Sequence, residues 1–171
     1  MKQDNYLFKW SDIGDINEGR PNLGPNTPVA VYRLMQYTMR SVLNREFGAE
    51  KSSGLFYKSG YIAGKEFCSN LLDTQLEFYD FIAQLQKTLK DLNIGILRVE
   101  KSNLETMDMT ITVAEDLDCS GLPITNEAVC DYDEGFIAGI LNHYTGSKFS
   151  VKEIDCWSNG ERICRFQIKM V

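Results

Sequence analysis

The chain has 171 residues, of which 43% are hydrophobic and 25% charged. That composition excludes collagen-like and disordered classes, and the length fits one domain with its own core. The net charge of −6, from 18 basic and 24 acidic residues, disfavours direct binding to nucleic acid, and no apolar run nears the roughly 20 residues of a membrane span.

Residues 1–27 read as an irregular N-terminal arm punctuated by Gly14, Gly19, Pro21, Gly24 and Pro25. Tyr6, Phe8 and Trp10 are its candidate anchors on the core. No signal-peptide-like apolar run follows Met1, so a cytoplasmic location is expected. Residues 28–171 read as a single domain.

Thr27-Pro28 marks a helix start, and Val31, Leu34, Met35, Thr38, Val42 and Leu43 recur near helical spacing until Gly48. A second helix is expected over about 53–70. Its Gly60 and Gly64 lie one turn apart, which predicts close helix packing, inside one subunit or across a homodimer. Thr74-Gln75-Leu76-Glu77 has the pattern of a capping box opening a third helix through about residue 92.

The period then changes. Residues 94–99 are β-rich, and Met107, Met109, Ile111 and Val113 alternate with polar residues. The two segments read as a hairpin turning at Lys101-Ser102-Asn103. A fourth helix over about 126–145 carries Gly135 and Gly139, again one turn apart. Two last strands, about 148–157 and 162–170, flank Ser158-Asn159-Gly160-Glu161, a hairpin signal. Three helices, two strands, a helix and two strands give an α+β fold with an antiparallel sheet of about four strands.

Five cysteines, an odd number, argue against a disulfide scaffold. Cys130, Glu153, Cys156 and Cys164 could make a four-coordinate zinc set, and the same residues could equally be buried thiols and a carboxylate. A three-residue loop at Ser158-Asn159-Gly160 would put Cys156 and Cys164 on one face. Glu153 would point away from Cys156 in an ideal strand, so a shared metal requires a bulge or a strand end there. Cys68 and Cys119 read as spare or buried thiols. Most of Asp131, Asp133 and Glu134 read as solvated, favouring the start of a helix. His143, the sole histidine, reads as a surface or half-buried residue.

Cys130-x3-Glu134-Gly135-Phe136-x2-Gly139, Glu153-x2-Cys156 and Gly160-x3-Cys164-x-Phe166 resemble the 4-vinyl-reductase-type, or hydrocarbon-binding, domain family. That family is similar in fold to the TRAPP vesicle-tethering subunits and to the ligand-binding domain of haem-based NO sensors. The resemblance spans roughly 28–170, with its specific motifs in 119–166.

The family includes sensory domains of phenol- and xylene-responsive activators. The resemblance implies a structural zinc on Cys130, Glu153, Cys156 and Cys164, with no open position for catalysis. It also implies a small-molecule pocket, for which Phe56, Phe67, Phe78, Phe81, Leu85, Met107, Met109 and Ile111 are the candidate lining; read from periodicity alone, the same residues are ordinary core. The phenol sensors hold the phenol hydroxyl with a His and a Trp. Here His143 lies near the end of its helix, and Trp10 and Trp157 fall outside the pocket segments, so phenol itself is not expected.

The expected function is a zinc-braced, non-catalytic binding or sensory domain for a hydrophobic or aromatic ligand. With no ATPase or DNA-binding segment in the sequence, it is expected to signal through dimerisation or a partner. Two alternatives stand beside it. One is a tetrapyrrole-binding vinyl reductase or accessory protein, for which no nucleotide-binding motif is present. The other is an interaction scaffold resembling the tethering subunits.

Overall fold

The computed structural model describes residues 6–171; the arm's first five residues lie outside it. The arm is less irregular than expected. It holds a 3-10 turn at Trp10–Ile13 and a one-turn helix α1 (Ile16–Gly19), whose start is capped by Asp15 accepting from the Glu18 N–H at 2.9 Å. The Trp10 N–H donates to Glu66 at 2.8 Å, tying the arm to the core helices.

Helix α2 (Val29–Phe47) stops at Gly48, whose φ of 81° suits glycine. Helix α3 (Ala49–Leu71) begins at the next residue, earlier than the expected position near 53. Helix α4 (Phe78–Asp91) starts after Glu77, so Thr74 does not cap it; the residues before it form a turn in which Asp73 accepts from the Gln75 N–H. Helix α5 (Asp131–Thr145) begins five residues later than expected, with Cys130 at its N-cap.

The four strands are β1 (Ile96–Asn103), β2 (Asp108–Ala114), β3 (Phe149–Asp155) and β4 (Cys164–Met170). They form one antiparallel sheet in the order β1-β2-β4-β3. The expected α+β class and strand number are as observed. The first hairpin turns later than expected: Lys101, Ser102 and Asn103 still pair with β2, and Met107 sits in the turn with φ 54°.

One sheet face carries Leu97, Met109, Ile111, Val113, Phe149, Val151, Phe166 and Ile168, all buried. The alternation that marks these strands in sequence is the burial pattern of the pleat. The four helical glycines interlock α3 with α5 inside one subunit. A Cβ on Gly60 or Gly64 would lie 2.0 or 2.1 Å from the carbonyl oxygens of Tyr132 and Phe136. On Gly135 or Gly139 it would lie 2.0 or 2.2 Å from those of Tyr57 and Tyr61. These glycines therefore serve the subunit's own core, and α5 is set at a fixed height above the sheet.

Candidate functional site

Four sulfurs converge where the start of α5 meets the end of the sheet. Those of Cys119, Cys130, Cys156 and Cys164 all lie within 4.8 Å of one another, every one of the four is buried, and none is in a disulfide. Cys130 Sγ is 3.7 Å from Cys156 Sγ and 3.8 Å from Cys164 Sγ, and Cys119 Sγ is 3.0 Å from Cys164 Sγ. Four thiolates at about 2.3 Å from one tetrahedral zinc would stand about 3.8 Å apart. The donor set and its spacing therefore fit a zinc ion, with small adjustment between Cys119 and Cys164.

Each sulfur comes from a different part of the fold. Cys164 opens β4, opposite Val113 of β2. Cys156 follows β3, where the register shifts between Glu153 and Asp155. That bulge is the irregularity needed for Glu153 and Cys156 to face one side. The connection is longer than a three-residue hairpin loop: a 3-10 turn at Trp157–Asn159 ends on Gly160, whose φ is 95°. Ser158 Oγ lies 3.1 Å from Cys156 Sγ and donates to the Glu127 carbonyl. Hydrogen bonds from the thiols of Cys119, Cys130 and Cys164 hold the Cys156 thiol well below its ordinary range, so the cluster already favours a thiolate.

Cys119, read from sequence as a spare thiol, is the member that sequence reasoning missed. Its loop is fastened by Asp116 Oδ1, which accepts from the N–H groups of Asp118 and Cys119 at 2.8 and 3.0 Å. Glu153 stands beside the four sulfurs and outside their mutually close set. Its Oε2 accepts weakly from the Cys130 N–H at 3.4 Å, and its Oε1 is buried with no partner among the described residues. Burial, and then the Cys156 charge, push its carboxyl up to about 8.

The acidic first turn of α5 departs from expectation. Asp131 pairs with Arg40 at 2.8 Å. Glu134 is buried, accepts from the Glu153 N–H at 2.8 Å and pairs with Lys152 at 2.9 Å. Asp133 turns inward, because it continues the stripe of Phe136, Ile137 and Ile140 along the helix. His143 is exposed, as expected.

Between the helices and the sheet lies a narrow apolar cavity of about 40 Å³. It is much smaller than the roughly 150 Å³ of an apolar cavity that accepts benzene. Among the expected lining residues, Leu85, Met109 and Ile111 border it, joined by Ile82, Leu89 and Ile140. A half-open cleft of about 290 Å³ adjoins it, sharing Ile94, Asp133 and Phe136. Phe67 lines this cleft, and so does Trp10 of the arm, contrary to its expected position outside the pocket.

Four of the expected lining residues sit elsewhere. Phe56 lies under the Arg40 guanidinium at 4.2 Å, Phe81 stacks on Tyr144 at 3.9 Å, Phe78 packs edge-on against Tyr79, and Met107 is in the hairpin turn.

Residues 109–170 match the vinyl-4-reductase domain family. The chain carries a vinyl-4-reductase domain. The matched stretch runs from β2 to β4 and holds all four clustered cysteines. Over 149 residues the chain is 26% identical to the uncharacterised protein MJ1642 of Methanocaldococcus jannaschii, covering 87% of this chain and 81% of that one.

Solved structures share the fold. A vinyl-4-reductase family protein from Methanocaldococcus jannaschii superposes with a TM-score of 0.65 at 21% identity, covering 100% of this chain and 99% of that one. The phenol-responsive sensory domain of the transcription activator PoxR, solved with phenol, gives 0.66 at 14% identity, covering 84% and 75%. A trafficking protein particle complex subunit 3 from Naegleria fowleri, covalently bound to palmitic acid, gives 0.68 at 13% identity, covering 84% and 95%. The expected kinship of vinyl-4-reductase, phenol-sensor and tethering-subunit folds is thus observed for this chain.

Proposed function

We propose that this vinyl-4-reductase-family protein is a zinc-braced, non-catalytic domain that binds a small, largely apolar molecule and passes the signal on through a second copy of itself. The observation that carries the metal reading is the convergence of four buried sulfurs at spacings suited to one tetrahedral ion. Cys119, Cys130, Cys156 and Cys164 are the favoured ligands. Glu153, the fourth ligand implied by the family pattern, stands ready as an alternative to Cys119. When bound, zinc would supply a structural crosslink between the loop after β2, the start of α5 and the ends of β3 and β4.

The ligand reading rests on the cleft and the cavity it adjoins. The PoxR sensory domain, which shares this fold, is solved with phenol. In this chain the cleft is the roomier part, and side chains at Ile94 and Phe136 would have to move for a ring to reach the inner cavity. Titrating the full chain with benzyl alcohol by calorimetry tests the reading. Saturable binding that is lost in Ala63→Trp, which fills the cleft, is expected; no binding to the wild type would contradict it.

Dimerisation is supported by α2, which is inside-out. Arg33, Gln36 and Tyr37 reach inward to the 116–118 loop, while Leu34, Met35 and Met39 are 67%, 59% and 51% exposed. An apolar helix face turned to solvent is the mark of an interaction surface. Among the described residues no helix is long and apolar enough to cross a membrane. Five free cysteines suit a reducing, cytoplasmic setting.

A further inference from the structure

Asp133 is the buried polar group that nothing above uses. Its Oδ2 is shut off from water and has no hydrogen-bond partner among the described residues. The residue lines both the inner cavity and the outer cleft, at the boundary between them. A buried acceptor left unpaired is costly, and a buried charge left unpaired costs more.

The surroundings give it no relief. Asp116 and Asp118 are its nearest acidic neighbours, and with burial they push the Asp133 carboxyl well above the ordinary carboxylate range. Asp118 is itself engaged by Tyr32 and Gln36 at 2.7 and 2.6 Å. The two guanidiniums on this side are committed elsewhere. Arg33 donates to the carbonyls of Leu117 and Asp116, and Arg40 to Asp131 and the Val129 carbonyl. Among the described residues no Lys, Arg or His lines the cavity or the cleft.

The walls of the cleft are aromatic. Phe8, Trp10, Tyr32, Phe67, Tyr132 and Phe136 surround the mouth above Asp133. Aromatic faces attract a cation and give no advantage to an anion. An unpaired carboxylate at the floor, aromatic rings around it and no competing cationic side chain together describe one ligand chemistry. From this we infer that the cleft binds a small organic cation, an ammonium ion on an apolar body, with its charge on Asp133 and its body among the rings. The inference rests on the reading of the cleft as a ligand site and names the class of ligand it takes.

A matched pair of probes tests it on the full chain: benzylamine, protonated at neutral pH, and benzyl alcohol, its neutral counterpart. Calorimetry should show benzylamine binding the wild type at least about tenfold more tightly. Asp133→Asn keeps the side chain's shape and should remove that preference while leaving benzyl alcohol unchanged. Trp10→Leu, a change on the half-exposed arm that spares the core, should weaken benzylamine more than benzyl alcohol. Equal binding of the two probes to the wild type, or a preference that survives Asp133→Asn, overturns the cation assignment and leaves the cleft as a site for neutral ligands. Binding of neither probe overturns both.

Discussion

Cys119 Sγ lies 3.0 Å from Cys164 Sγ although 45 positions separate them in sequence. The contact closes a cluster that no single element could build. Asp116 fixes the turn that delivers Cys119, and the β2–β4 register places Cys164 opposite Val113, a short distance from that turn.

The ligand set can be read directly. Four cysteines predict coordination by sulfur alone at about 2.3 Å, whereas Glu153 in place of Cys119 would add an oxygen at about 2.0–2.2 Å. X-ray absorption at the zinc edge should therefore show only sulfur. Cys119→Ser should weaken zinc retention against a chelator by tenfold or more, and Glu153→Gln should change it by less. The reverse order would return Glu153 to the ligand set and release Cys119 from it.

Zinc binding should depend on pH with a definite sign. The ligands bind as thiolates, so lowering the pH adds protons that compete with the metal, and binding at neutral pH releases protons. Zinc occupancy should fall as the pH is taken from neutral toward about 5. Proton release should appear as a buffer-dependent binding enthalpy. Occupancy that is indifferent to pH across this range would contradict thiolate ligation.

The interlocked glycines give a packing test away from the metal. A methyl at Gly135 or Gly64 would meet a backbone carbonyl near 2 Å, and backbone cannot swing aside as a side chain can. Gly135→Ala should cost about 1–3 kcal/mol or more. For a chain of this size each kcal/mol lowers Tm by about 2–4 °C. Gly54, with nothing within 4 Å of an added Cβ, is the control, and Gly54→Ala should be neutral or mildly stabilising. Equal tolerance at both positions would contradict the observed helix contact.

The hydrogen bond from the Tyr32 hydroxyl to Asp118, at 2.7 Å, fastens α2 to the loop that carries Cys119. Tyr32→Phe removes one donor from a buried carboxylate at a cost of about 1–3 kcal/mol. Chemical denaturation should show that loss. An unchanged midpoint would mean that α2 is held by its other bonds alone.

Much of this was legible in the chain. The strand alternation at Met109, Ile111 and Val113 gave the sheet its buried face, and paired glycines gave the α3–α5 contact, though whether inside or between subunits could be read only in three dimensions. Cys130, Cys156 and Cys164 stood out because they lie on or beside periodic elements. Cys119 did not, because the stretch from Glu115 to Val129 has no periodicity and its path is set by side-chain bonds from Asp116. Asp133 carried a usable signal: it sits three and seven residues before Phe136 and Ile140, on the inward stripe. Its charge argued for solvent, and the helix register overrode it. Phe56, Phe78 and Phe81 look alike in sequence to cavity-lining aromatics, and only tertiary packing sends them to Arg40, Tyr79 and Tyr144.

The proposed dimer makes a prediction of its own. Light scattering of the wild type should give twice the chain mass, and the double substitution Leu34→Asp with Met39→Asp should give a folded monomer. A monomeric wild type would remove the second copy from the account.

The most direct test of the central claim is metal content. Untagged wild-type protein, purified without added metal and measured by elemental analysis beside Cys156→Ser, should carry about one zinc per chain that the variant lacks. A folded wild type with no metal, or a variant that keeps the full complement, would contradict the zinc centre and leave Cys119, Cys130, Cys156 and Cys164 as buried thiols.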